Sequence, residues 1–82
     1  MTLMIRTLWQ WENENDEPQE MTRHIVLNGD QPTTSEELHA LALQNHPGSS
    51  ASYDAVLARA ALVEGSVDDP DAATELLVWE AE

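Results

Sequence analysis

Leu3-Met4-Ile5-Arg6-Thr7-Leu8-Trp9-Gln10-Trp11-Glu12 alternates without a break. Leu3, Ile5, Thr7, Trp9 and Trp11 fall on one side of an extended chain, and Met4, Arg6, Leu8, Gln10 and Glu12 on the other. The pattern predicts a strand of about eight to ten residues, with the tryptophans on its core side. Met21 to Leu27 repeats it, setting Met21, Arg23, Ile25 and Leu27 against Thr22, His24 and Val26, and Asn28-Gly29-Asp30 ends it as a turn. Two neighbouring strands of similar length joined by a polar segment are most simply an antiparallel hairpin.

Between the strands lies Trp11-Glu12-Asn13-Glu14-Asn15-Asp16-Glu17-Pro18-Gln19-Glu20, where five acids stand without a Lys or Arg. Glu12, Glu14 and Asp16 are spaced like the first ligands of an EF-hand loop. That loop needs Gly at its sixth position and a bidentate Glu at its twelfth, and here those are Glu17 and Arg23. The calcium reading therefore fails, and the segment is expected to be a solvated, anionic loop standing proud of the sheet.

After the hairpin, Thr34-Ser35-Glu36-Glu37 reads as a capping box, with Thr34 accepting from the Glu37 N–H. The helix it starts carries Leu38, Leu41 and Ala42 on one face and stops at His46-Pro47-Gly48. Ser49 to Ser52 supply a linker and a second N-cap. Tyr53, Val56, Leu57 and Ala60 follow at spacings of three, four and seven, which predicts a second helix with Gly65 as its C-cap. A third start signal puts Asp69 at the cap, Pro70 at the first helical position, and Asp71 and Glu75 near the first turn. A short helix there, followed by a terminal strand from about Leu77 to Ala81 that joins the hairpin, completes the expected fold. It is one α+β domain over residues 1–82: a small antiparallel sheet with two to three helices on one face.

Sixteen acids against three basic residues give a net charge of −13 over 82 residues. Such a field costs stability by self-repulsion and disfavours direct binding to nucleic acid or anionic lipid. The expected partner is a basic protein surface. No Cys is present, so thiolate zinc sites and disulfides are excluded. His24, His39 and His46 are too widely spaced for a metal pair at i, i+4, Asp68-Asp69-Asp71 is too short to form a cage, and no metal or other cofactor is expected. Ser49, Ser50 and Ser52 lack a nucleophile elbow, and three glycines make no phosphate loop. A dry cleft able to separate two carboxyl pKa values is improbable in so small and anionic a chain, so a non-enzymatic role is expected. No run approaches membrane-spanning length, Met1 to Arg6 is too short for a secretory signal, and a cytoplasmic location is the simplest expectation.

The acids gather in two clusters. The first is Glu12, Glu14, Asp16, Glu17 and Glu20; the second is Glu64, Asp68, Asp69, Asp71 and Glu75. Glu80 and Glu82 follow at the end. If the terminal strand lies in the sheet, these merge into one surface, with Trp11 beside Glu12 as an apolar anchor. In size, charge and βα make-up, and in the run Glu12-Asn13-Glu14-Asn15-Asp16-Glu17, the chain resembles the small acidic inhibitors encoded by bacteriophages, above all DNA-mimicking anti-CRISPR proteins. That resemblance implies binding to the DNA-accepting groove of a CRISPR effector complex, foremost a type I surveillance complex, in the cytoplasm of a bacterial host. An acidic antitoxin or adaptor that covers a basic partner is the alternative.

Overall fold

Trp9 has no solvent exposure, and the strand that carries it is interior to the sheet. The computed structural model describes residues 1–48 and 54–82. Its elements are β1 (Thr2–Glu12), β2 (Pro18–Val26), α1 (Ser35–Leu43), β3 (Val56–Gly65), a single 3-10 turn (Pro70–Ala72) and β4 (Thr74–Glu80). The strands form one antiparallel sheet in the order β2-β1-β3-β4.

The hairpin is present: β1 pairs with β2 from Met4↔Val26 to Glu12↔Pro18. On one face, Ile5, Trp9, Leu57, Ala60 and Leu62 pack with Leu38 and Ala42 of α1, which lies against β3 and β4. Buried Thr7 accepts a 2.9 Å hydrogen bond from the Trp9 indole, so neither polar group is stranded. The capping box is present in a shifted form. Thr34 Oγ1 accepts from Glu37 N at 3.2 Å, but the Glu37 carboxylate reaches back to Thr33 N, also at 3.2 Å.

Two of the expected helices are absent from the described residues. The segment read as the second helix is β3, which lies between β1 and β4. Ala58, Arg59, Ala60, Ala61 and Leu62 are strong helix formers, yet tertiary pairing overrides propensity here. Ala60 and Ala61 are both at 0% exposure, one on each face, so the polar half of the strand alternation is missing. The spacing of three between Leu57 and Ala60 has its own cause. Leu8 pairs with Arg59 while Trp9 pairs with Leu57, leaving Ala58 as an extra residue in a β-bulge that returns Leu57 and Ala60 to the same face. Residues 49–53, where the linker, second cap and Tyr53 were expected, lie outside the described residues.

Gly65 does not cap a helix. It ends β3, where an added Cβ would stand 2.7 Å from the Ala73 Cβ, so the strand and the returning chain approach too closely for a side chain. The third expected helix is reduced to the 3-10 turn, with Pro70 at its start and no side-chain bond from Asp69. β4 begins at Thr74 rather than Leu77 and takes up Glu75. It joins the hairpin only through β3, to which it pairs at Leu62↔Leu77 and Ala60↔Trp79. The fold is thus a four-stranded sheet with one helix, and its strand content exceeds the two or three strands expected.

Candidate functional site: the acidic ends and the arginine network

The position of the positive charge determines which acids remain unpaired. Arg6 and Arg59 lie on the sheet face away from α1, opposite His24 and Ala61 in one case and Leu8 and Glu80 in the other. Arg59 grips Glu75 with two parallel bonds of 2.7 and 2.8 Å and reaches Glu80 with Nε at 3.2 Å. Arg6 donates from all three nitrogens: Nη1 to Glu75 at 3.2 Å, Nη2 to the Pro70 carbonyl at 2.9 Å, and Nε to His24 Nε2 at 2.9 Å. This last bond makes His24 Nε2 an acceptor, so its ring is neutral with the proton on Nδ1.

The electrostatics follow the geometry. Hydrogen bonds from Arg59, supported by the charges of Arg59 and Arg6, hold the Glu75 carboxyl below its usual range, and Glu75 raises Arg59 in turn. Burial and the charge of Arg6 lower His24, with Asp71 opposing them. Arg23 points to the helix side and donates to the Asn45 carbonyl at 3.1 Å, just past the end of α1.

Every arginine is therefore committed inside the fold, and of the acids proposed for partner binding only Glu75 is paired with one. Glu12, Glu14, Asp16, Glu17, Glu20, Glu64, Asp68, Asp69 and Asp71 are exposed and, among the described residues, in no ion pair. They do not form one surface. Glu64 pairs with Leu3 at the start of β1, and Glu12 stands about 30 Å away at about 3.3 Å per strand residue. The Arg6–Glu75–Arg59–Glu80 network occupies the middle of the face away from α1, the face that carries Glu12, whereas Glu64, level with Leu3, lies on the α1 side. The 66–73 connection folds back over the face away from α1, where Ala73 and Val78 cover Met4, Ala61 and Val63, which places Asp71 near His24.

The hairpin end is more ordered than a proud loop. Asn13 Oδ1 accepts from the N–H groups of Asn15 and Glu17 at 2.9 and 3.0 Å, and Asp16 adopts a left-handed φ of 59°. Glu12 and Glu20 sit in the strands rather than in the turn. β1 and β2 pair as far as Glu12↔Pro18, but β1 and β3 pair only to Gln10↔Val56. The overhang opens a groove of about 920 Å³ lined by Trp11, Pro18 and Val56 with Gln10, Gln19, Glu12, Glu20 and Asp54. Trp11 is half-buried against the core beside this groove. Sequence reading missed Asp54, and it missed Val56 as a surface residue because the helical spacing placed it on a buried face.

The histidines are dispersed. His39 stacks on Trp79 at 3.8 Å between ring centroids, and His46 meets Trp9 edge-on at 4.9 Å while hydrogen-bonding the Ala55 carbonyl. Among the described residues no three His, Cys, Asp or Glu side chains stand together as metal ligands. No helix among them is long and apolar enough to cross a membrane. No family model, curated protein or solved structure matches the chain.

Proposed function

We propose that the protein is a non-enzymatic inhibitor that acts in the bacterial cytoplasm by presenting carboxylates to a basic, DNA-accepting groove. One observation carries this reading: all three arginines are consumed within the fold, while both ends of β1 display unpaired acids. The separation of about 30 Å corresponds to about nine base pairs at about 3.4 Å each, so the two ends would engage separated parts of one DNA track. A type I CRISPR effector, the partner implied by the resemblance to anti-CRISPR proteins, is the first to test.

The test is displacement of duplex DNA from a purified effector at low salt. The protein should release the DNA, and combining Glu14→Gln, Asp16→Asn and Glu17→Gln should weaken release and flatten its salt dependence. Failure to displace DNA from any such effector removes the basis of the reading. The groove beside Trp11 favours a second reading, an adaptor or antitoxin that covers a basic protein. Its binding would depend on Trp11 and tolerate the three charge changes.

A further inference from the structure

The two outer strands present their unpaired backbone in different ways. β4 is interrupted by a register shift between Leu62 and Val63 and carries Glu75 and Glu80, devices that discourage pairing at an edge. β2 runs nine residues beside β1 with no shift, and among the described residues no strand pairs with its outer side. The Leu27 N–H donates to the Leu3 carbonyl and the Asn13 N–H to the Glu17 carbonyl, both in the β1–β2 register. Antiparallel hydrogen bonds serve alternate residues. Gln19, Met21, Arg23 and Ile25 therefore bond to β1, and Glu20, Thr22, His24 and Val26 turn their N–H and C=O groups outward.

We infer that β2 pairs antiparallel with β2 of a second copy of this chain, about a two-fold axis at Thr22. Thr22 is the midpoint of Pro18–Val26, so this register uses the whole strand. It sets Thr22 opposite Thr22, a favourable cross-strand pair, and Glu20 opposite His24 of the other copy. His24 Nε2 accepts from Arg6, which leaves its Nδ1–H to donate to that carboxylate. Val26, 55% exposed in the single chain, gains Pro18 as its neighbour. Pro18 stands at the first position of the strand, where its missing N–H costs the ladder one bond at each end. An axis at Glu20 would instead oppose like charges, and one at His24 would shorten the ladder. Two copies double a net charge of −13, so repulsion opposes the pairing and added salt strengthens it. This pairing is independent of the inhibitor reading.

The test is sedimentation of the full chain up to about 1 mM, at low and high salt. A monomer–dimer equilibrium should appear and should tighten with salt. Thr22→Lys places like charges across the axis and should weaken dimerisation about tenfold, although it reduces the net negative charge. Thr74→Lys makes the same charge change on β4 and should not weaken it. The sequence has no Cys, so a single introduced thiol reports on one position. Across the axis the Thr22 Cα atoms would stand about 5.5 Å apart, within disulfide range. The Thr22→Cys chain should therefore cross-link with oxidised glutathione faster than the Thr74→Cys chain. Hydrogen exchange reads the register: the Thr22 and His24 amides should gain protection as concentration rises, and those of Met21 and Arg23, already bonded to β1, should change less. A monomer under all these conditions would overturn the inference and leave the edge to a strand of another protein. A dimer that Thr22→Lys leaves intact, or equal cross-linking of the two cysteine chains, would overturn it as well.

Discussion

On the helix side of the sheet, Trp9, Ile5 and Leu62 are sealed from water, and the Trp9 indole N–H is satisfied internally by Thr7. On the opposite side the middle of the sheet is held by Arg6, Arg59, Glu75, Glu80 and His24, and a small sealed apolar cluster of Met4, Ala61 and Val63 lies beneath the β3–β4 connection. The first face gains its stability from removing apolar area from water, which is insensitive to salt and to mild acid. The second depends on partly exposed charge, which is weak and conditional. Replacements on the two faces should therefore differ in size and in their response to salt and pH.

The largest effect is expected at the centre of the first face. Trp9→Ala removes the largest fully buried side chain and should cost about 3–5 kcal/mol, enough to unfold much of an 82-residue domain. Urea denaturation should show the midpoint collapsing, with a difference from the native chain that is the same at low and high salt. A stable, salt-sensitive variant would mean that the polar face carries more of the fold than its exposure suggests. Thr7→Val keeps the shape but leaves the Trp9 indole N–H without its acceptor, and a loss of about 1–3 kcal/mol is expected by the same measurement.

The division between the faces was legible in β1, because ten residues of uninterrupted alternation admit no helical reading. Thr34 and Glu37 likewise located the helix, since a cap is a local event decided by neighbouring residues. Val56 to Gly65 was not legible. Its burial on both faces erased the alternation, and the bulge at Ala58 produced helix-like spacing by a mechanism visible only once the partner strand is known. The same limit applies to the acids. Composition showed that they outnumber the bases, and it could not show that Arg6 and Arg59 fold onto Glu75 and Glu80 while leaving the sheet ends unpaired. The groove beside Trp11 was hidden for a related reason, since it lies where β1 and β2 continue two residues beyond the last pair of β1 with β3.

Effects on the polar face should be smaller. Glu75→Gln removes the carboxylate shared by both arginines, but its side chain is 33% exposed and its partners are hydrated, so the expected loss is at most about 1 kcal/mol. The difference from the native chain should shrink further between low and high salt, whereas that of Thr7→Val should not move. A salt-independent loss at Glu75 would place it with the sealed face.

The smallest expected effect is at His24, and pH isolates it. Burial and the charge of Arg6 lower its folded-state pKa below the ordinary 6.5, against a raising influence from Asp71. The unfolded chain therefore takes up the proton first as pH falls. Stability from the neutral ring is fully present above about 6.5 and is lost as pH drops below that value, levelling off once the folded state is protonated too. Protonation also places a hydrogen on Nε2, against the N–H that Arg6 donates at 2.9 Å. Glu75 has the same sign but a lower window, because its depressed carboxyl loses its contribution only as pH falls from 4.5 through the lowered value. Comparing native and His24→Gln proteins in urea at pH 8 and pH 5 separates the two, since glutamine can accept from Arg6 without titrating. The variant should gain on the native chain at pH 5 relative to pH 8. An unchanged difference would show that the ring does not lose its bond to Arg6 in this range, and that this face is held by the Glu75 pairs alone.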